Sequence, residues 1–132
     1  MTSRFTDGHR NPKKQEAKVS DCLFCGIVAG KIPATIVHQT EKTLAFRDIN
    51  PRAPVHVLVI PKEHIESLMA LEPRHAASIA DIHQVVQKVA RQEKAEEKGF
   101  RVVVNNGKDS GQAVGHLHYH VLAGRKLSWP PG

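Results

Sequence analysis

Residues 115–122 read Gly-His-Leu-His-Tyr-His-Val-Leu, so imidazoles alternate there with apolar side chains. A period of two predicts a β-strand, because successive strand side chains point to opposite faces. Over 116–123 that strand places His116, His118 and His120 on one face, roughly 6–7 Å apart at a rise of ~3.3 Å per residue. Leu117, Tyr119 and Val121 take the other face, toward a core. Imidazoles are costly packing material, since each buried ring nitrogen needs a partner. The run therefore asks for a sheet with one apolar face and one face that carries chemistry.

The rest of the chain supplies such a sheet. Ala34–Thr40 and Thr43–Ile49 read as a hairpin turning through Glu41-Lys42. The prolines of Asn50-Pro51-Arg52-Ala53-Pro54 stop the ladder, each lacking an N–H. Val55–Ile60 is almost continuously apolar, which predicts a central strand covered on both faces. Phe100–Asn105 is a fourth strand, followed by the glycine-rich loop 106–111. Glu66–Leu71 suits a short helical turn. Ile79, Ile82, Val85 or Val86, and Val89 form an apolar stripe at helical spacing, so a helix over 73–98 is expected, with Pro73 at its first position and Gly99 ending it. A shorter helix over 22–29 is expected behind an Asp21 N-cap. The predicted fold class is α+β: one domain, about five strands in a largely antiparallel sheet, one long helix and one short N-terminal helix.

Charge and composition bound the function. Residues 1–20 hold five Lys/Arg against two Asp/Glu and lack apolar periodicity, so they read as a flexible basic extension ahead of a domain at 21–132. That tail holds half of the net charge of +6, and a mildly basic remainder suits an anionic small ligand. Nucleic acid is not the expected partner. There is no apolar run of membrane-spanning length and no secretory h-region, so a cytoplasmic protein is expected.

The three imidazoles admit three uses. They can decorate a solvent face, they can bind metal, or one can act as a nucleophile. Two alternate strand residues can reach one metal, but a third collinear one lies too far for a bond of ~2.0–2.1 Å. Neutral imidazole is abundant at pH 7 and can attack phosphorus, leaving a P–N bond. Its neighbours can then donate to the phosphoryl oxygens, and the loop before the strand can offer backbone N–H groups.

The pattern H-φ-H-φ-H-φ-φ in HLHYHVL resembles the signature of the histidine triad (HIT) family. DCLFCGIVAGKIPA, LAFRDINPRAPVHVLVIPKEHI, RVVVNNG and AGRKLSWPPG resemble its Hint branch, the purine nucleoside phosphoramidases. The resemblance runs over 21–132. It implies hydrolysis of a phosphorus–nitrogen bond on AMP or GMP, with His118 as nucleophile, His120 as phosphate contact, and His116 and His56 as orienting residues. It implies that Asp48 binds the ribose diol, that Ile49, Phe46, Phe24, Leu23 and Ile27 wall the purine, and that Asn105, Gly111, Gln112 and Ala113 lie close to the phosphate and leaving group. Each has a plainer reading: Asp48 as a turn residue, His56, Phe24, Phe46 and Ile27 as core, Asn105 as the loop's first residue. It further implies a homodimer meeting at the 100–105 strand and the long helix. A third His, rather than Gln, points away from the transferase branch, and the WPPG ending points away from dinucleoside polyphosphate hydrolases. Those hydrolases and a nucleotide-binding interaction module are the alternative readings. Ala113 replaces a serine of the animal members and Gly115 a residue that is often bulky.

Cys22-x-x-Cys25 is open to three uses: buried thiols, a redox pair, or half of a zinc site. The redox pair lacks a thioredoxin-like βαβ context. Zinc-bearing members of the family imply Cys22, Cys25, His64 and His116 as ligands of a structural Zn²⁺, with His56 as the rival fourth. No cofactor is required for the chemistry itself.

Overall fold

The structure, a computed structural model, describes residues 21–132. The basic extension over 1–20 lies outside the described residues. In chain order the elements are α1 (Leu23–Val28), β1 (Ile36–Gln39), β2 (Thr43–Arg47), β3 (Val55–Pro61), α2 (Ala76–Gln92), β4 (Arg101–Val104) and β5 (Tyr119–Ala123). Short 3₁₀ turns occupy Leu68–Ala70, Pro73–His75 and Lys108–Ser110. The strands form one antiparallel sheet in the order β1-β2-β3-β5-β4. This is the α+β arrangement expected, with β3 in the middle.

Side-chain parity divides the sheet into two cores. Ala45, Val57, Val59, Tyr119 and Val121 face α2 and pack on its Ile82, Val85, Val86 and Val89. Leu44, Phe46, Leu58 and Ile60 face the other way and pack on Phe24 and Ile27 of α1. The continuous apolar run of β3 is thereby explained: alternate residues serve different layers. Full burial of an Ile or Val contributes roughly 1.5–3 kcal/mol, which makes the α2 stripe a main anchor of the sheet.

Several boundaries differ from the sequence reading. β5 begins at Tyr119, not 116, although Leu117 still shares a core with Tyr119 and Val121. The reason is that the Leu117 N–H donates to the Ile65 carbonyl (2.6 Å), so the chain at 116–118 is tied to the segment after β3. The hairpin strands end early, and Asp48 and Ile49 lie beyond β2. Cys22, not Asp21, caps α1, its sulfur accepting from the Cys25 N–H at 3.4 Å. Finally, α2 stops at Gln92 rather than near Gly99. Lys94 takes a left-handed φ of 58°. The Lys94 N–H then reaches the Arg91 carbonyl and the Ala95 N–H reaches that of Ala90. That is a Schellman closure, with buried Ala95 as its apolar contact. At its other end α2 is entered through Pro73 and a capping box between Glu72 and His75.

Candidate active site

The register of β3 and β5 assembles the histidines. Leu58 pairs with His120 and His56 with Leu122, so His56 and His120 are diagonal neighbours on the α1 face. Their ring nitrogens, His56 Nε2 and His120 Nδ1, are 3.0 Å apart. His118 precedes the strand, and its ring lies 5.0 Å from that of His120 and edge-on to Phe24 at 5.2 Å.

The hydrogen bonds fix which nitrogens carry protons. The Arg52 backbone N–H donates to His56 Nδ1 at 3.0 Å. A neutral His56 therefore carries its proton on Nε2, which donates to His120 Nδ1. His120 in turn is protonated on Nε2, and that buried atom has no hydrogen-bond partner among the described residues. An unpartnered buried donor is costly, so its placement marks a position for an acceptor supplied from outside. His118 is held the opposite way. Its Nδ1 donates to the carbonyl of His116 at 2.7 Å, which leaves a lone pair on Nε2. Side by side stand one imidazole with its lone pair on Nε2 and one with its N–H on Nε2.

Electrostatics keeps the donor neutral. Burial pushes the pKa of His120 down to about 4, with His118 and His56 adding to the effect. Burial also lowers His56, opposed by Asp48. The Asp48 carboxylate accepts from the Asn50 N–H at 2.8 Å through Oδ1, an Asx turn, and its Oδ2 lies 3.4 Å from His56 Nε2. Asp48 thus makes the turn of its plainer reading and also faces the histidines. Asp48, His56 and His120 are close enough to bracket a cation. The Arg52 N–H argues against one, because it commits His56 Nε2 to a proton.

The ring of His116 turns away from this pair. Its Nε2 donates to the Pro61 carbonyl at 2.8 Å, leaving the Nδ1 lone pair 3.4 Å from Cys22 Sγ and 3.6 Å from Cys25 Sγ. His64 Nδ1 is 3.2 Å from Cys25 Sγ. All four ligand atoms lie within 4.8 Å of one another. Tetrahedral zinc with bonds of ~2.0–2.3 Å needs donor separations of roughly 3.3–3.8 Å, so the set fits that ion. Burial, and then the neighbouring Cys22, raise the Cys25 thiol to about 12. Two ionised sulfurs in this spot therefore call for a cation between them. Burial lowers His116 to about 4, leaving it neutral as a ligand must be. His56, the rival fourth ligand, is instead engaged with Arg52 and His120.

The remaining predicted residues scatter by depth. Phe24, Phe46 and Ile27 are buried in the second core, whereas Leu23 is half exposed and Ile49 is 91% exposed. Gln112 closes the glycine-rich loop: its Oε1 accepts from the Gly107 N–H, and its Nε2 donates to the Glu66 and Val114 carbonyls. The Gly111 and Gln112 amides bond within the loop too. These loop donors, expected to face a phosphate, are engaged internally. Asn105 follows β4, and Ala113 lies on the rim of an open cleft of about 400 Å³ that Cys22, His64 and Gly115 also line. The resemblance implies an orienting role for His116; its ring faces sulfur, and its carbonyl accepts from His118 Nδ1. The Arg52 amide and the Pro61 and Ile65 carbonyls were missed because backbone partners leave no mark in residue identity.

The HIT domain profile matches residues 29–127. The chain is 45% identical over 115 residues to the 14 kDa zinc-binding protein of Zea mays, covering 86% of this chain and 89% of that one. Among solved structures it is similar to a HIT family hydrolase of Legionella pneumophila (TM-score 0.83, 45% identity, 85% of this chain and 100% of that one). It is also similar to a histidine triad protein of Clostridium difficile (TM-score 0.79, 47% identity, 82% and 94%).

Proposed function

The chain belongs to the HIT domain family, and from that premise we propose that it is a purine nucleoside phosphoramidate hydrolase acting through a nucleotidyl-histidine intermediate. The observation that carries the reading is the opposed protonation of two adjacent rings: a lone pair on His118 Nε2 and an unpartnered, buried N–H on His120 Nε2. His118 Nε2 attacks the phosphorus, the bond from phosphorus to the amine breaks, and the amine leaves with a proton. Water then attacks the adduct and releases AMP or GMP. The His120 N–H donates to a phosphoryl oxygen, where charge concentrates. Because one P–N bond replaces another, the intermediate is close in energy to the substrate, and both half-reactions are accessible.

Asp48 retains lone pairs for the ribose hydroxyls beyond its turn. Leu23 and Ile49 offer apolar surface to the purine, backed by Phe24, Phe46 and Ile27. Asn105, Gly111, Gln112 and Ala113 border the phosphate and the amine. Cys22, Cys25, His64 and His116 hold a structural Zn²⁺, as the name of the maize relative supports; its part is to bind α1 to the residues just before the nucleophile. The enzyme works in the cytoplasm as a homodimer joined along β4, the sheet's edge.

The test is hydrolysis of an adenosine 5′-phosphoramidate. His118→Ala is expected to lower the rate ~10³-fold or more, as loss of a covalent nucleophile does. Equal rates in both proteins would remove the proposal. Preferential cleavage of a diadenosine polyphosphate by the wild type would replace it with the polyphosphate hydrolase reading. Nucleotide binding with no trappable adduct on His118 would replace it with a binding module.

A further inference from the structure

We infer that Cys22 and Cys25 form an oxidisable pair through which a hydroperoxide reversibly disables the adjoining nucleophile. The two thiols are not equivalent. Cys22 lines the open cleft of about 400 Å³ beside Leu23, His64 and Val114, while Cys25 does not border it. Their sulfurs lie within 4.8 Å of each other, and neither is in a disulfide. Cys22 caps α1 from an extended backbone (φ −74°, ψ 122°). Its side chain folds back over the first turn, with its sulfur accepting from the Cys25 N–H at 3.4 Å, which brings it beside the Cys25 side chain.

The chemistry follows from that asymmetry. The Cys22 thiolate attacks the peroxide, the O–O bond breaks, and Cys22 becomes a sulfenic acid as hydroxide leaves. The Cys25 thiolate then attacks the Cys22 sulfur, the S–O bond breaks, and a disulfide forms with a second hydroxide. Two protons from solvent convert both hydroxides to water. The sulfurs lose two electrons and the peroxide gains them. The product offers no thiolate, so the metal-binding set is dismantled.

The consequence reaches His118 through one residue. The His116 ring faces both sulfurs, and the His116 carbonyl accepts the His118 Nδ1 proton. Residues 116–118 precede β5, so no ladder bond holds them. Their anchors are the Leu117 bond to Ile65, the burial of Leu117, and the His116 ring seated between Pro61 and the thiols. Disulfide formation takes away the sulfur side of that seat, leaving the Pro61 bond, and so loosens the carbonyl that selects the tautomer of His118. The proton then distributes over both ring nitrogens, and the lone pair on Nε2 is no longer guaranteed.

The activity readout rests on the phosphoramidase reading; the others do not. Reduced, zinc-loaded, full-length protein is treated with hydrogen peroxide. Expected are a mass loss of about 2 Da, zinc release to a chromogenic chelator, averaging of the His118 Nδ1 and Nε2 signals in ¹⁵N NMR, and a fall in hydrolysis on the order of tenfold or more. Dithiothreitol with zinc restores all four. The inference is overturned if peroxide adds oxygen to either sulfur without forming the disulfide. It is equally overturned if the disulfide forms while the His118 signals stay unchanged. If the reduced protein never hydrolyses a phosphoramidate, the proposed function fails, and mass, zinc and NMR still decide this one.

Discussion

At the scale of single residues, the three imidazoles that look alike in the sequence do three different things because each has a different hydrogen-bond partner. His116 faces sulfur, His118 is a lone pair and His120 is a donor. The pKa of His120 gives this a pH signature. Its folded value of about 4 lies below the usual 6.5, so between those values the unfolded chain binds the additional proton. Stability therefore falls as pH drops from about 6.5 toward 4. Thermal melts across that window should show the slope, and His120→Asn should flatten part of it. An unchanged slope would mean that His120 is not held neutral. This residue-level division was only partly legible beforehand. The alternation marked the site, but the tautomers depend on the Arg52 amide and the His116 carbonyl, and the ring of His116 was led away by Cys22 and Cys25 some ninety positions earlier in the chain.

At the scale of elements, the hairpin and the long helix are locked by one carboxylate. Asp81 on α2 accepts from the Thr40 and Thr43 hydroxyls at 2.5 and 2.6 Å, at the β1–β2 turn. Asp81→Ala leaves the fully buried Thr43 hydroxyl without that acceptor and is expected to cost about 1–3 kcal/mol in urea unfolding. The Schellman closure makes the opposite prediction. A left-handed conformation is unfavourable for lysine, so Lys94→Gly should stabilise the protein by about 0.5–1 kcal/mol, read as a raised urea midpoint. Element types were legible from periodicity: β3 as a buried strand, the stripe of α2, the proline stops. Boundaries were not. Residues 91–98 are polar apart from Ala95, so nothing in the pattern says that the turn closes at a lysine. A cysteine cap on α1 is equally silent, because cysteine is not among the preferred capping residues.

At the scale of the whole molecule, the sheet separates structure from chemistry by face. One face packs α2 and holds the larger core; the other carries α1, the thiols and the histidines. The Cys/His set bridges α1, the segment after β3 and the segment before β5, three parts of the chain that are far apart in sequence. Chelating the metal should therefore lower the melting temperature of the entire domain, in proportion to ligand linkage, and re-adding zinc should restore it. A melt indifferent to chelator would remove the structural role given to the ion.

The parity of β5 carries a consequence for how such a protein can evolve. Tyr119 and Val121 fill the core while His120 between them serves the site. Inserting or deleting one residue there would send the imidazole into the hydrocarbon layer and bring a tyrosine or valine to the substrate. Descendants of this sequence can thus explore new chemistry along β5 by replacement alone, whereas length changes are tolerated only where the chain leaves the ladder.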